Sequence, residues 1–278
     1  TLGKREKTFL NIKWVTKNEL PTFPARTNIR YGKMTSPGHI EELSSDSRTP
    51  KDLFTSKTYP YQMDGVAWEN DLIGFRHYFD GRNNRDIYGK RVPTVALDTV
   101  GIGKDGHPAN NYQKLSKWGR DILNLSGSFG LGGVAMMSAD TVIQLGDIRS
   151  GKKENIDSTY YRLITEGAVR SVFQIEYKGW NINGQKINLL HTSTIWAGKH
   201  GYENILNVEK MPLGYNLFTG IVRSMNKEAL VEKQNKNFSL MMTHDKQTTE
   251  PLNYLGMALT IPKSNFIETF DTPDVGNN

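Results

Sequence analysis

The stretch DGVAWENDLIGFRHYFDGRNNRDIYGK, residues 64–90, decides how the chain is read. From Asp71 to Phe79 apolar and polar residues alternate with period two. Ile73, Phe75, His77 and Phe79 therefore share one face of a predicted strand, and Leu72, Gly74, Arg76 and Tyr78 share the other. The first face reads as core. The second starts with a glycine, which leaves space, and continues with a guanidinium and a phenol pointing the same way, as a strand lining a cleft requires. Trp68, Glu69 and Asn70 lie just before it; Arg82, Asn83, Arg85, Asp86, Tyr88 and Lys90 follow. Residues 76–91 hold five Arg or Lys against two Asp, a local excess that suits a small anion.

Working outward, strand signals recur along all 278 residues, which fits one all-β unit over 1–278. TFLNIKWV (8–15) reads as an opening strand with Leu10, Ile12 and Trp14 on one face. Residues 21–60, rich in proline and polar residues, read as loops with short strands between them, and His39 as an exposed loop histidine. VPTVAL (92–97) reads as a strand, residues 114–124 as either a helical turn or a strand entry, and GSFGLGGVAMMS (127–138) as a close-approach segment with glycines at 127, 130, 132 and 133. No Gly-Lys-Ser/Thr ending follows, so that segment is not a phosphate loop. The second half is a series of strands, with Asn183-Gly184 as a hairpin turn. In AVRSVFQIEYKGW, Val169, Ser171, Phe173 and Ile175 face one way and Arg170, Val172, Gln174 and Glu176 the other. About a dozen antiparallel strands must split into packed sheets, so a large β-sandwich is expected.

Composition narrows the chemistry. The net charge is +6, and residues 1–58 supply most of it with eleven Lys or Arg against six acids. A basic balance suits nucleic acid, anionic lipid or an acidic polysaccharide, but there is no basic helix or nucleic-acid motif, so no nucleic-acid partner is expected. There is no cysteine, hence no disulfide, thiolate metal site or cysteine nucleophile. No stretch approaches a membrane span, so no membrane insertion is expected. The start lacks the apolar core of a signal peptide, which suits a mature exported protein after processing. The end, DTPDVGNN, follows directly on a strand, and a further C-terminal segment is expected beyond it.

The six histidines show no ligand spacing, so no cofactor is required, while a carboxylate-based calcium site stays open. There is no nucleophile elbow and no Walker loop. What is left is acid/base chemistry from side chains that the fold brings together. Arg76 on a sheet face needs a carboxylate partner, either Glu69 or Asp80 or one on a ligand. His77 and His191 alternate with apolar neighbours and read as buried. Trp68 and Trp118 are either sugar platforms or core.

Several segments together resemble domain-of-unknown-function family 4861: GVAWENDLIGFRHYFDGRNNRDIYGK, KWGRDILNLSGSFGLGG, EGAVRSVFQIEYKGW, STIWAG and LNYLGMALTIP, in order over about residues 64–262. The family's genes lie among polysaccharide-degradation clusters. The resemblance implies a galactose-mutarotase-like supersandwich, export to the periplasm, and an activity related to an oligosaccharide dehydratase that works on ulvan. Such an enzyme removes water from a non-reducing-end uronic acid and leaves a 4,5-unsaturated sugar. Where the family tends to have Tyr-His before its Trp-Gly-x-Asp motif, this chain has Tyr112-Gln113, which implies altered chemistry or a binding role.

On that reading Arg76, Arg82, Asn83 and Lys90 are available to neutralise the uronate carboxylate. Tyr78, its pKa lowered by neighbouring positive charge, serves as base or acid with Glu69 as its partner. Trp68, Asn70, Tyr112, Gln113 and Trp118 complete the expected binding surface for an anionic oligosaccharide. Competing expectations are a non-catalytic protein that binds anionic glycans, and an epimerase or hydrolase on the same scaffold. For hydrolysis, Glu69 and Asp71 would stand roughly 7 Å apart along one strand.

Overall fold

The computed structural model describes residues 7, 9, 11–53, 60–125, 128, 130–138, 141–146, 154–223, 225–251 and 253–271. Among them every strand pairing is antiparallel and there is no α-helix, so the all-β expectation holds. Among the described residues no helix is long and apolar enough to cross a membrane.

Two five-stranded sheets carry the architecture. The first is ordered β1 (Thr27–Arg30), β5 (Gly65–Asn70), β6 (Ile73–Tyr78), β7 (Arg85–Lys90), β8 (Gly119–Asp121). The second is ordered β14 (Tyr202–Val208), β13 (Gln185–Trp196), β12 (Arg170–Ile182), β11 (Ser158–Glu166), β4 (Ser45–Arg48). A third, of β10 (Thr141–Gln144), β9 (Leu131–Ser138) and β15 (Asn216–Ile221), and a fourth, of β16 (Val231–Gln234), β17 (Phe238–Lys246) and β18 (Tyr254–Pro262), extend the assembly. β2 (Gly32–Ser36) and β3 (His39–Glu42) form a separate hairpin. His39 is exposed as expected, although it opens a strand.

The period-two reading of β6 is correct. Phe75 and His77 face the interior with Val66 and Trp68 of β5, and Arg76 and Tyr78 take the other face with Ala67 and Glu69. The interior lies between the two large sheets. Trp68 packs against Phe75 at 5.7 Å, Phe173 at 5.0 Å and Tyr202 at 5.0 Å between ring centroids. Of its two expected fates, platform or core, Trp68 takes the core at 0% exposure. His77 Nε2 meets the Tyr177 hydroxyl at 2.9 Å, and His191 is buried as well. Asn70 ties the sheets together: its Oδ1 accepts from the Leu72 and Ile73 amides and its Nδ2 donates to the Trp196 and Lys199 carbonyls. Arg48 and Glu154 form a two-pronged buried pair at 2.6 and 2.7 Å beneath the interior. The Asn183-Gly184 turn has φ of 47° and 90°, as a tight hairpin between twisted strands demands.

Three expectations fail for identifiable reasons. Residues 11–16 form no strand, and Trp14 stands 94% exposed, because alternation without a partner strand provides no hydrogen-bond ladder; Thr8 and Leu10 lie outside the described residues. Residues 92–97 are irregular, since the amides of Ala96 and Leu97 bond to the Glu69 carboxylate in place of a neighbouring strand. The space expected above Gly74 is filled: a Cβ there would meet Tyr88 Cβ at 3.2 Å and Leu97 Cδ1 at 3.5 Å.

Trp68 fills the interior where both sheets meet, so Trp68→Ala should cost about 3–5 kcal/mol in urea unfolding. A loss under about 1 kcal/mol would mean that this packing does not carry the sandwich.

Candidate functional site

The outer face of the first sheet is covered by the chain from Arg91 to Trp118. Leu97, Val100, Tyr112 and the half-buried Trp118 pack over Ala67 and Tyr88 as a second, smaller core. One ion pair fixes that cover. The Lys90 ammonium, its side chain 1% exposed, donates to the Glu69 carboxylate and to the carbonyls of Asn70 at 2.6 Å and Thr94 at 2.7 Å. The other Glu69 oxygen takes the Ala96 and Leu97 amides at 2.6 and 2.7 Å. Glu69 and Lys90 are thus fully engaged as a latch. Asp71 lies beyond the strand and pairs with Arg26, so Glu69 and Asp71 do not form a facing carboxylate pair.

The site proper centres on Arg76, which is 2% exposed. Its partners are neither Glu69 nor Asp80 as expected. Nη2 donates to Asp86 Oδ2, to Asp121 Oδ2 at 2.8 Å and to the Tyr78 hydroxyl at 2.5 Å, and Nη1 reaches Asp64 Oδ2 at 3.3 Å. The register explains the choice: β6 and β7 set Arg76 directly opposite Asp86, and β7 and β8 set Tyr88 opposite Asp121. Asp64 joins from the turn before β5 at a positive φ of 62°. The guanidinium also lies 4.3 Å from the Tyr78 ring, 4.9 Å from Tyr112 and 5.3 Å from Tyr88.

The remaining expected residues are spread around this centre. Arg82 is chelated by Asp80, stacks 3.9 Å over the Tyr78 ring and keeps 35% of its side chain exposed, so it forms the open rim. The Tyr112 hydroxyl lies 3.1 Å from Asp64 Oδ2. Gln113 is exposed at the end of a short 3-10 turn. Asn83 turns away: its amide nitrogen donates to the Gly81 carbonyl at 3.1 Å and lies 3.4 Å from Glu154. Asp64, Asp86, Tyr88 and Asp121 are members of the site that sequence reading did not pick out. Asp86 and Tyr88 were reachable by carrying the alternation on through β7; Asp64 and Asp121 depend on chain crossings that no local pattern encodes.

Three carboxylates on one guanidinium leave an excess of negative charge. Burial, then the neighbouring Asp86, raises the Asp121 carboxyl to about 7 against the pull of Arg76. Burial and Asp86 likewise push the Tyr78 phenol well above its ordinary value, overriding Arg76 and Arg82; this corrects the expectation of a lowered value. Burial works against Arg76, but Tyr88, Tyr78 and the two aspartates hold it charged. Tyr88 Oη and Arg76 Nε are buried without a hydrogen-bond partner among the described residues. The arrangement can hold a proton near neutrality, donate one from a phenol and meet an anion at its rim. Among the described residues no three His, Asp or Glu are grouped to hold a metal ion.

The raised carboxyl has a signed consequence. Its folded-state pKa exceeds the unfolded value of about 3.8, so its stabilisation is full below that value and is lost as pH rises through about 7. Asp121→Asn should flatten the fall in urea-measured stability between about pH 4 and 7 and be the more stable protein at pH 8. An unchanged pH profile would show that Asp121 titrates normally.

The family described as Domain of unknown function (DUF4861) matches residues 1–278. No curated protein and no solved structure matches the chain.

Proposed function

We propose that this chain, which belongs to the DUF4861 family along its whole length, is a carbohydrate-active lyase that removes water across C4–C5 of a non-reducing-end uronate in an oligosaccharide. The observation that carries the reading is the joining, on one nitrogen of Arg76, of an aspartate poised near neutrality and a phenol that stays protonated. Elimination next to a carboxylate needs three things: a cation on that carboxylate, a base for the C5 proton, and an acid for the C4 hydroxyl.

Arg82 is the arginine of the cluster with open surface, and it takes the uronate carboxylate. Asp121, as carboxylate, receives the C5 proton. The C4–O bond breaks as Tyr78 delivers its proton, water leaves, and the C4–C5 double bond forms. Asp121 then holds the proton that Tyr78 has lost, and Asp86, bonded to the Tyr78 hydroxyl at 2.9 Å and to the same Arg76 nitrogen, lies on the path that returns it. In this mechanism Glu69 and Lys90 position the cover and touch no substrate. An anionic oligosaccharide of the ulvan type, an exported protein and a reaction without cofactor complete the proposal, supported by the family resemblance.

A second reading, a non-catalytic binder of anionic glycans, is favoured by one feature: Gln113 where the family tends to have histidine, exposed at the edge of the cover. The test is ultraviolet absorbance with saturated uronate-ended oligosaccharides, alongside product mass. Elimination gives rising absorbance and the loss of one water, with turnover increasing through about pH 7 as Asp121 ionises. Tyr78→Phe and Asp121→Asn should each lower the rate roughly a hundred- to ten-thousand-fold without unfolding the chain. Saturable binding in calorimetry with no absorbance change would replace the lyase by the binder.

A further inference from the structure

The third and fourth sheets leave a cavity between them. Residues of β9 and β15 line one side, Met241 of β17 and Ile261 of β18 line the other, and the volume is about 450 Å³, inside the range of roughly 300–1,000 Å³ that small-molecule sites occupy. Phe218, Ile221, Met241, Ile261, Phe266 and Phe270 supply its apolar wall, and each of them is only half-buried. Alternation along β15 sets Phe218 and Gly220 on the same face. A Cβ at Gly220 would meet Phe218 Cζ at 3.3 Å and Cε1 at 3.6 Å, so the glycine lets that ring lie back over its own strand and keeps the space open.

The chain itself shows which groups this cavity accepts. After β18 and the 3-10 turn Lys263–Asn265, residues 266–271 run along the cavity as a strap. The Phe270 ring lies 5.2 Å from the Phe218 ring, tilted by 32°, and Asp271 Oδ1 accepts from Arg223 Nη1 at 2.6 Å. A phenyl ring on Phe218 and a carboxylate on Arg223 are the two halves of an aryl carboxylate. The strap holds them loosely. Among the described residues no backbone hydrogen bond ties residues 267–271 to either sheet, and the Asp271 side chain is 80% exposed, so its ion pair contributes little. Arg223 is the single cation among the lining residues; the two acids there, Glu268 and Asp271, both belong to the strap and are exposed. Among the described residues Arg223 Nη2 has no hydrogen-bond partner.

We propose that this cavity is a binding site for an aryl carboxylate, a molecule with one aromatic ring and a carboxylate on a short linker. Its ring packs among Phe218, Phe266 and Phe270, where tilted and edge-to-face contacts between rings are favourable. Its carboxylate takes the open Nη2 of Arg223 and displaces Asp271 from Nη1, so that the planar fork meets both oxygens of one carboxylate. Asp271 returns to water at small cost because it is already exposed. No lining residue belongs to the Arg76 cluster, and the site does not rest on the proposed lyase activity.

The experiment is calorimetric titration of the full chain with sodium trans-cinnamate at neutral pH and constant ionic strength, with cinnamyl alcohol as the uncharged molecule of the same shape. The expected result is saturable one-to-one binding of cinnamate, roughly tenfold weaker binding of the alcohol, and a roughly tenfold loss of cinnamate affinity in Arg223→Met, as removal of a charge-assisted pair predicts. Asp271→Asn, which weakens the internal competitor, should bind cinnamate several-fold more tightly, and Arg82→Met should bind it as wild type does. Heats that do not saturate, equal affinity for acid and alcohol, or wild-type affinity in Arg223→Met overturn the proposal. Loss of binding in Arg82→Met overturns it too, because the anion then sits at the rim of the Arg76 cluster. If Arg223→Met does not fold, Asp271→Asn decides: unchanged or weaker binding there overturns the proposal.

Discussion

Burying the charge of Arg76 is the constraint on which the outer half of the molecule depends. A guanidinium at 2% exposure is tolerated only with acids around it, and those acids come from separate segments: Asp64 from the turn before β5, Asp86 from β7 and Asp121 from the short β8. One side chain of β6 therefore fixes where three other segments must run. The same condition generates chemistry. Acids crowded around a single cation cannot all ionise with equal ease, so one of them holds its proton near neutral pH.

A second buried pair sets the shape above it. Glu69 spends one oxygen on Lys90 and the other on two backbone amides of the covering segment, so residues 91–97 are drawn down onto the sheet. The cover then buries Tyr88 and Tyr112 against Arg76, and that burial pushes both phenols further above their ordinary pKa. The two faces of β7 carry opposite conditions. Outside, aspartates exceed the arginine they surround; inside, one arginine stands among neutral groups. A single alternation, Arg85 then Asp86, separates them.

Much of this was legible in the sequence. Period two in residues 71–79 assigned Phe75 and His77 to the core and Arg76 and Tyr78 to the opposite face, because side-chain direction along a strand is a local property. The strands of the second half and the Asn183-Gly184 turn were legible for the same reason. The opening strand misled because alternation says which face is apolar and nothing about whether a partner exists to pair with it.

The partners of the charged residues belong to the tertiary structure. Glu69 stands close to Arg76 in sequence and pairs with Lys90, while Asp121, forty-five residues away, closes on Arg76. Register across three strands makes that choice, and register is set by the summed burial of both sheets rather than by any one segment. The protonation states follow the same rule. Adjacent arginines in the sequence suggested a lowered Tyr78 pKa, and burial beside Asp86 raises it. The sequence by itself determined the all-β class, the faces of its strands and the residue types available for acid/base work, since these follow from local alternation and composition. Only the tertiary structure decided which acid meets which base and how dry that meeting is, because distance and desolvation are properties of the packed chain.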